Sequence, residues 1–173
     1  MRFGPTHPAA LGIRHVLNRP GAWYANHQGG FVDQRNYFSI WGSDMSKKGK
    51  WRLEITEDFA ASHQLRHYEG KCERMHGHNF GVLVAVQGDT LTPDTELLMD
   101  FKELRGHLKS VLAELDHRHL NEVEPFTTCN PSSENLARHI YRGLAAKVAG
   151  AGVAVASVTV SEKPGQSATY FEN

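Results

Sequence analysis

Between Trp51 and Val86 the chain carries two alternating runs with histidines where they adjoin. Trp51, Leu53 and Ile55 alternate with Arg52, Glu54 and Thr56, the period of a half-buried strand. Phe80, Val82, Val84 and Val86 fall on one side of a second strand that ends at Gly88-Asp89. A polar loop, 66–74, separates them. Side chains two apart on a strand share a face, so His76 and His78, at the entry to the second strand, point the same way. Gly77 between them adds no bulk. His63 closes the run Phe59-Ala60-Ala61-Ser62-His63 on the neighbouring strand, within cross-strand reach of both. Pairing the two runs therefore gathers three imidazoles.

The rest of the chain supplies the covering layer. Thr92-Pro93-Asp94 is a turn that leads to Asp100. Asp100 with Glu103 resembles a capping box, with Asp in place of the usual Ser or Thr. Phe101, Leu104, Leu108, Val111, Leu112 and Leu115 then repeat at helical spacing. Asn130-Pro131-Ser132-Ser133 opens a second helix, capped by Ser132 or Ser133, whose stripe is Leu136, Ile140, Leu144 and Val148. Gly150 and Gly152 close it. A third strand is predicted over 153–162 and a short fourth over 168–171, after the Pro164-Gly165 turn. The order predicts an α+β domain, an antiparallel four-stranded sheet with two helices inserted between strands 2 and 3. Residues 1–44 are of another kind, broken by Pro5, Pro8, Pro20 and several glycines. They are expected to form an N-terminal extension with little structure of its own, leaving 45–173 as the folded domain. Met45 resembles a natural start, so the extension is read either as the product of an upstream start or as an arm that packs on a neighbouring subunit.

Composition narrows the functional classes. The 173 residues suit one domain with a full core. Acidic and basic residues balance at 19 each, which offers no broad basic face to a nucleic acid or a membrane surface. No apolar run approaches the roughly 18 residues of a membrane span. The start lacks the apolar core of a secretory signal, so the cytoplasm is the expected compartment. There Cys72 and Cys129, in unlike contexts, are expected as free thiols.

Three neutral imidazoles with one position left open form the usual ligand set of a catalytic zinc. His63, His76 and His78 are therefore candidate Zn2+ ligands. Cys72, four positions before His76, is a candidate base or nucleophile beside the metal. The competing reading makes it a fourth ligand, which would leave the site closed, structural and inert, although a domain of this size needs no metal staple. Asp116-His117, after the first helix, reads either as a solvated helix end or as a dyad in which the carboxylate orients the ring. His119 is an alternative partner. Glu162 by itself is the end of a strand.

In combination these pieces resemble the 6-pyruvoyl-tetrahydropterin synthase family, and more closely its branch of 6-carboxy-tetrahydropterin synthases. The resemblance rests on Phe59-Ala60-Ala61-Ser62-His63, Gly70-Lys71-Cys72, His76-Gly77-His78-Asn79, Asp100-Phe101, Leu115-Asp116-His117, Leu120-Asn121, Asn130-Pro131-Ser132-Ser133-Glu134-Asn135 and Glu162. It spans the chain from Trp51 to Phe171 in the family's order. It implies the tunnelling fold, with subunits joined into a trimer or hexamer and active sites between subunits. It implies His63, His76 and His78 as zinc ligands, Cys72 as the catalytic thiol, Asp116 and His117 as a proton-relay pair and Glu162 as the anchor of the pterin ring. The implied substrate is 7,8-dihydroneopterin triphosphate, with Lys71, Arg74 and Arg66 as candidate contacts to the triphosphate. The three-residue gap between Cys72 and His76 resembles the carboxy branch, which serves queuosine synthesis; the pyruvoyl enzymes have a longer gap. Glu73 resembles the glutamate of a further branch, which cleaves the same substrate to 6-hydroxymethyl-dihydropterin for folate. Cys72 and Glu73 together resemble members that serve both routes. Lys163 departs from the family's usual Thr. A zinc-bound, non-catalytic member and an unrelated zinc hydrolase are the rival readings.

Overall fold

The computed structural model describes residues 23–25, 31–33 and 49–173. The chain divides between Lys47 and Lys48 into two units. In the first, strands β1 (Trp23–Ala25) and β2 (Phe31–Asp33) form a two-stranded antiparallel ladder. The expectation of a poorly structured extension over 1–44 otherwise falls outside the described residues.

The second unit is an α+β domain. Its elements are β3 (Trp51–His63), β4 (His76–Gly88), helix α1 (Phe101–Leu112), β5 (Arg118–His119), helix α2 (Ser133–Val148), β6 (Ala154–Lys163) and β7 (Gln166–Tyr170). The sheet order is β5-β3-β4-β6-β7. The sequence predicts four antiparallel strands, and these are present. The fifth, β5, is a two-residue strand that runs parallel to β3 through Ala61↔Arg118 and Ser62↔His119. It forms because the Asp116 side chain and the His117 amide dock on the edge of β3 just before it, a pairing that no periodicity announces.

β3 and β4 are longer than their alternating runs suggest, and pair along 13 residues each, from Trp51↔Gly88 to His63↔His76. Ile55, Phe59, Ala61 and His63 of β3 are buried, as are Phe80, Val82, Val84 and Val86 of β4 and Val158 and Val160 of β6. All of these but His63 pack in one core with Leu104, Leu108, Val111 and Leu112 of α1 and Leu136, Ile140, Leu144 and Val148 of α2. Glu57, on the same face of β3, pairs with Arg105 and Lys109 of α1. The opposite face is polar, with Arg52 bonded to Glu54 and Ser157, and Thr159 to Thr169.

Helix starts follow the sequence. The Asp100 carboxylate accepts from the Lys102 amide at 2.6 Å, so Asp100 is the expected N-cap, bonded to the second helical amide and not to that of Glu103 as a capping box would have it. Ser132 is the cap of α2, accepting from the Asn135 amide. Both place side-chain oxygens on otherwise unpaired amides of a first helical turn.

Phe80 joins core to site. Its ring stacks on Phe59 at 5.0 Å and meets His63 and His78 edge-on at 5.3 and 5.4 Å. Phe80→Ala should cost about 3–5 kcal/mol of folding stability, read from urea denaturation. A loss below 1 kcal/mol would mean that the ring does not support the core as described.

Candidate metal and pterin site

The β3–β4 register sets His63 directly opposite His76, and Ala61 opposite His78. The three rings lie on one face with centroids 4.6–5.3 Å apart. One ligand atom from each falls within 4.8 Å of the other two, the arrangement of a metal-holding trio. His63 is 1% exposed and is the one polar residue in the buried class among the described residues.

Hydrogen bonds select the nitrogens that face inward. Nδ1 of His63 lies 2.7 Å from the Pro131 carbonyl, and Nδ1 of His76 lies 2.7 Å from the Arg74 carbonyl. A carbonyl only accepts, so each Nδ1 carries the proton and each Nε2 keeps its lone pair. Nε2 of His63 and Nε2 of His78 are buried with no hydrogen-bond partner among the described residues. Buried polar atoms are costly unless paired. Two such atoms pointing at a third imidazole fit a divalent cation. Neither Pro131 nor Arg74 is singled out as a metal-site residue by sequence reasoning; the Asn-Pro-Ser-Ser motif was the available signal for the first.

Burial lowers the pKa of both His63 and His78. For His63 the hydrogen bond to Pro131 opposes this, the neighbouring His76 reinforces it, and Glu162 opposes it. For His78 the Glu162 carboxylate is the main opposing influence. Both rings are thus held neutral, the form that binds a metal.

Glu162 belongs to this site. It shares a face of β6 with Val158 and Val160, and its Oε2 lies 3.9 Å from His78 Nε2. The Ser133 hydroxyl donates to its other oxygen at 3.2 Å. Ser133 is the first residue of α2, so the carboxylate also faces the positive end of a helix.

Asp116 and His117 form the expected pair at the sheet edge. Asp116 Oδ1 accepts from the Ala60 amide and Oδ2 lies 2.9 Å from His117 Nδ1. The Ala60 amide first, and the His117 ring second, hold the Asp116 carboxyl below its usual pKa. His117 sits at φ +58°, a left-handed conformation uncommon outside glycine. That turn lets its amide reach the Ala60 carbonyl at 2.6 Å and leaves its side chain 81% exposed. His78 and His117 border one open cavity of about 560 Å3, floored by small residues such as Ala60 and Gly77.

Lys71, Cys72 and Glu73 make up one 3-10 turn, with Cys72 half-buried and its neighbours exposed. The Cys72 carbonyl accepts from the Leu65 amide. Both cysteines are free. Arg66 behaves differently from a triphosphate contact: its guanidinium donates to the carbonyls of Phe126, Cys129 and Asn121. No helix among the described residues is long and apolar enough to cross a membrane.

Residues 52–173 match the family described as 6-pyruvoyl tetrahydropterin synthase. A 6-carboxy-5,6,7,8-tetrahydropterin synthase of Synechocystis sp. is 39% identical over 126 residues, 70% of this chain and 93% of that protein. A dihydroneopterin monophosphate aldolase of Pyrococcus furiosus is 35% identical over 88 residues, 51% of this chain and 69% of that protein. The solved structure of Caenorhabditis elegans 6-pyruvoyl tetrahydropterin synthase matches with a TM-score of 0.65 at 28% identity, covering 73% of this chain and 99% of that one. The expected tunnelling fold is therefore present, with one short strand more than the sequence predicts.

The depressed imidazole pKa values set a pH dependence. The unfolded chain takes up protons near the usual 6.5, while folded His63 and His78 resist protonation. Stability is then fully present above pH 6.5 and declines as pH falls below it. In chelator-stripped protein the urea midpoint should drop as pH falls below about 6.5, and a midpoint that rises there would contradict the neutral, buried rings.

Proposed function

Because this chain belongs to the 6-pyruvoyl tetrahydropterin synthase family, a family of pterin-processing enzymes, we propose that it converts 7,8-dihydroneopterin triphosphate to 6-carboxy-5,6,7,8-tetrahydropterin, releasing acetaldehyde and triphosphate. The proposed setting is queuosine synthesis in the cytoplasm. The observation that carries the reading is the pair of buried, unpartnered Nε2 atoms of His63 and His78 beside His76. The donor set fits zinc, which would supply Lewis-acid polarisation of the substrate's side-chain hydroxyls when bound.

The chain's own residues do the rest. Glu162 grips the guanidine-like edge of the pterin through two parallel hydrogen bonds, a geometry that suits a carboxylate. Its place 3.9 Å from His78 sets the ring beside the metal ligands. Cys72 removes a proton from one carbon of the substrate's side chain. His117, oriented by Asp116 through the 2.9 Å bond, carries protons to and from the other side-chain carbon. Lys71 and Arg74 remain the candidate contacts for the triphosphate.

The exposure of His117 supports an active site completed by another subunit. Among the described residues β5 covers only Ala61 and Ser62 on the outer edge of β3, and Asp116 and His117 take the Ala60 backbone, so the edge from Trp51 to Phe59 is left for a neighbouring sheet. A homo-oligomer, trimer or hexamer, closes such edges in a ring.

The sulfur is assigned to catalysis and not to the metal. Cys72→Ala should keep one zinc per chain and lose turnover. Loss of zinc along with the thiol, measured by elemental analysis, would return Cys72 to the ligand set. His117→Ala should lower turnover about 100- to 10,000-fold, the usual contribution of a general acid–base group.

A second reading has one observation in its favour: Glu73 presents an exposed carboxylate on the same turn as Cys72. It would serve cleavage of the same substrate to 6-hydroxymethyl-7,8-dihydropterin. Incubating zinc-loaded protein with dihydroneopterin triphosphate and identifying every pterin by mass separates the two. Glu73→Ala should spare the carboxy product and remove any hydroxymethyl product. Equal loss of both products would end the idea of a dual role.

A further inference from the structure

Beyond His63 the chain leaves the sheet but remains gripped as though it were still a strand. The Gln64 amide donates to Oδ1 of Asn121 at 2.9 Å, and its carbonyl accepts from Nδ2 of the same side chain at 2.9 Å. Two residues later Asn130 repeats the pattern, taking the Arg66 amide at 2.7 Å and donating to the Arg66 carbonyl at 2.9 Å. A primary amide presents a donor and an acceptor side by side. Residues i and i+2 turn their backbone groups to the same edge of an extended chain. Two asparagines therefore stand in for the next strand of the sheet.

The clamp is connected to both halves of the site. Between the gripped residues, the Leu65 amide donates to the Cys72 carbonyl at 2.9 Å. Next to Asn130, Pro131 offers its carbonyl to His63 Nδ1. The Asn130 carbonyl accepts from the Asn135 side chain at 2.8 Å, inside α2. The Arg66 guanidinium adds bonds to three carbonyls of the same 121–130 segment that carries both asparagines.

We infer that Asn121 and Asn130 are positioning residues, whose side-chain amides hold Gln64–Arg66 extended and thereby fix the Cys72 turn relative to His63. Their catalytic consequence rests on the reading that Cys72 acts beside the metal ligands. Aspartate is the informative replacement. It keeps size and the acceptor for the backbone amide, but sets a second oxygen against the backbone carbonyl that the amide nitrogen served.

Asn121→Asp and Asn130→Asp should each lower kcat about 10- to 100-fold, the scale of a small misplacement of reacting groups, with KM little changed. The alkylation rate of Cys72 by iodoacetamide, followed by peptide mass mapping on folded protein, should shift at least about threefold in both. Ser110→Ala, outside the clamp, should leave both readouts alone. A lower melting temperature with wild-type kcat and wild-type alkylation would reduce the asparagines to fold stabilisers and overturn the inference. Should a variant not fold, amide hydrogen exchange on the wild-type protein decides: Gln64, Leu65 and Arg66 must be protected well beyond His67 and Tyr68, and fast exchange at the three overturns the clamp. Altered alkylation in a protein inert toward dihydroneopterin triphosphate would sink the proposed reaction and leave the clamp standing. Intact turnover with unaltered alkylation would do the reverse.

Discussion

The pairing of β3 with β4 in a single register is the constraint on which the site depends. His63 opposite His76 is the last rung of a ladder that begins at Trp51↔Gly88. A slip of one residue would turn every side chain of one strand to the other face. His63 would then face the polar side, and Phe59 and Ile55 would leave the core with it. The core and the trio of rings are thus specified by the same hydrogen bonds. The hydrophobic pattern guards the register because a slipped ladder would expose Ile55 and Phe59, both nearly fully buried.

Register alone brings rings together without choosing which nitrogen each presents. That choice comes from carbonyls outside the strands, at Pro131 and Arg74. Phe80 and the surrounding apolar groups then desolvate the rings and disfavour their protonation. Desolvation normally counts against a polar group. Here the same desolvation preserves lone pairs that a cation can use, so a cost to the metal-free fold becomes readiness for a ligand. Glu162, braced by Ser133, adds a carboxylate close to the trio.

Much of this was legible in the sequence, for a physical reason. Alternation at period two and the i, i+2 spacing of His76 and His78 are local properties, and a strand converts them into geometry without outside help. The helix caps at Asp100 and Ser132 are local too. What escaped is carried by contacts between distant segments. β5 exists because a carboxylate captures the Ala60 amide from 56 residues away. The grip on Gln64 and Arg66 comes from side chains 57 and 64 residues further along. Arg66 reads as a loop cation until the carbonyls of Phe126 and Cys129 are placed around it. Glu162 is an intermediate case: its parity with Val158 and Val160 places it on the core face, whereas its position at the strand end suggested solvent.

The domain thereby presents two parts of unlike character. The imidazole trio and Glu162 lie on the helix-covered side, buried or half-buried, and anchored by the core. Asp116 and His117 lie on the rim, held to Ala60 by the Asp116 carboxylate and the His117 amide, but the ring is turned outward by a left-handed residue. A solvated imidazole oriented by a carboxylate is poorly placed to act on a substrate enclosed within its own subunit. It is well placed to reach across an unpaired strand edge into an adjoining one. The same edge that needs covering to avoid indiscriminate pairing thus carries the group that such covering would bring into play. Assembly and proton transfer, in the proposed function, are two consequences of leaving the edge of β3 open between Trp51 and Phe59.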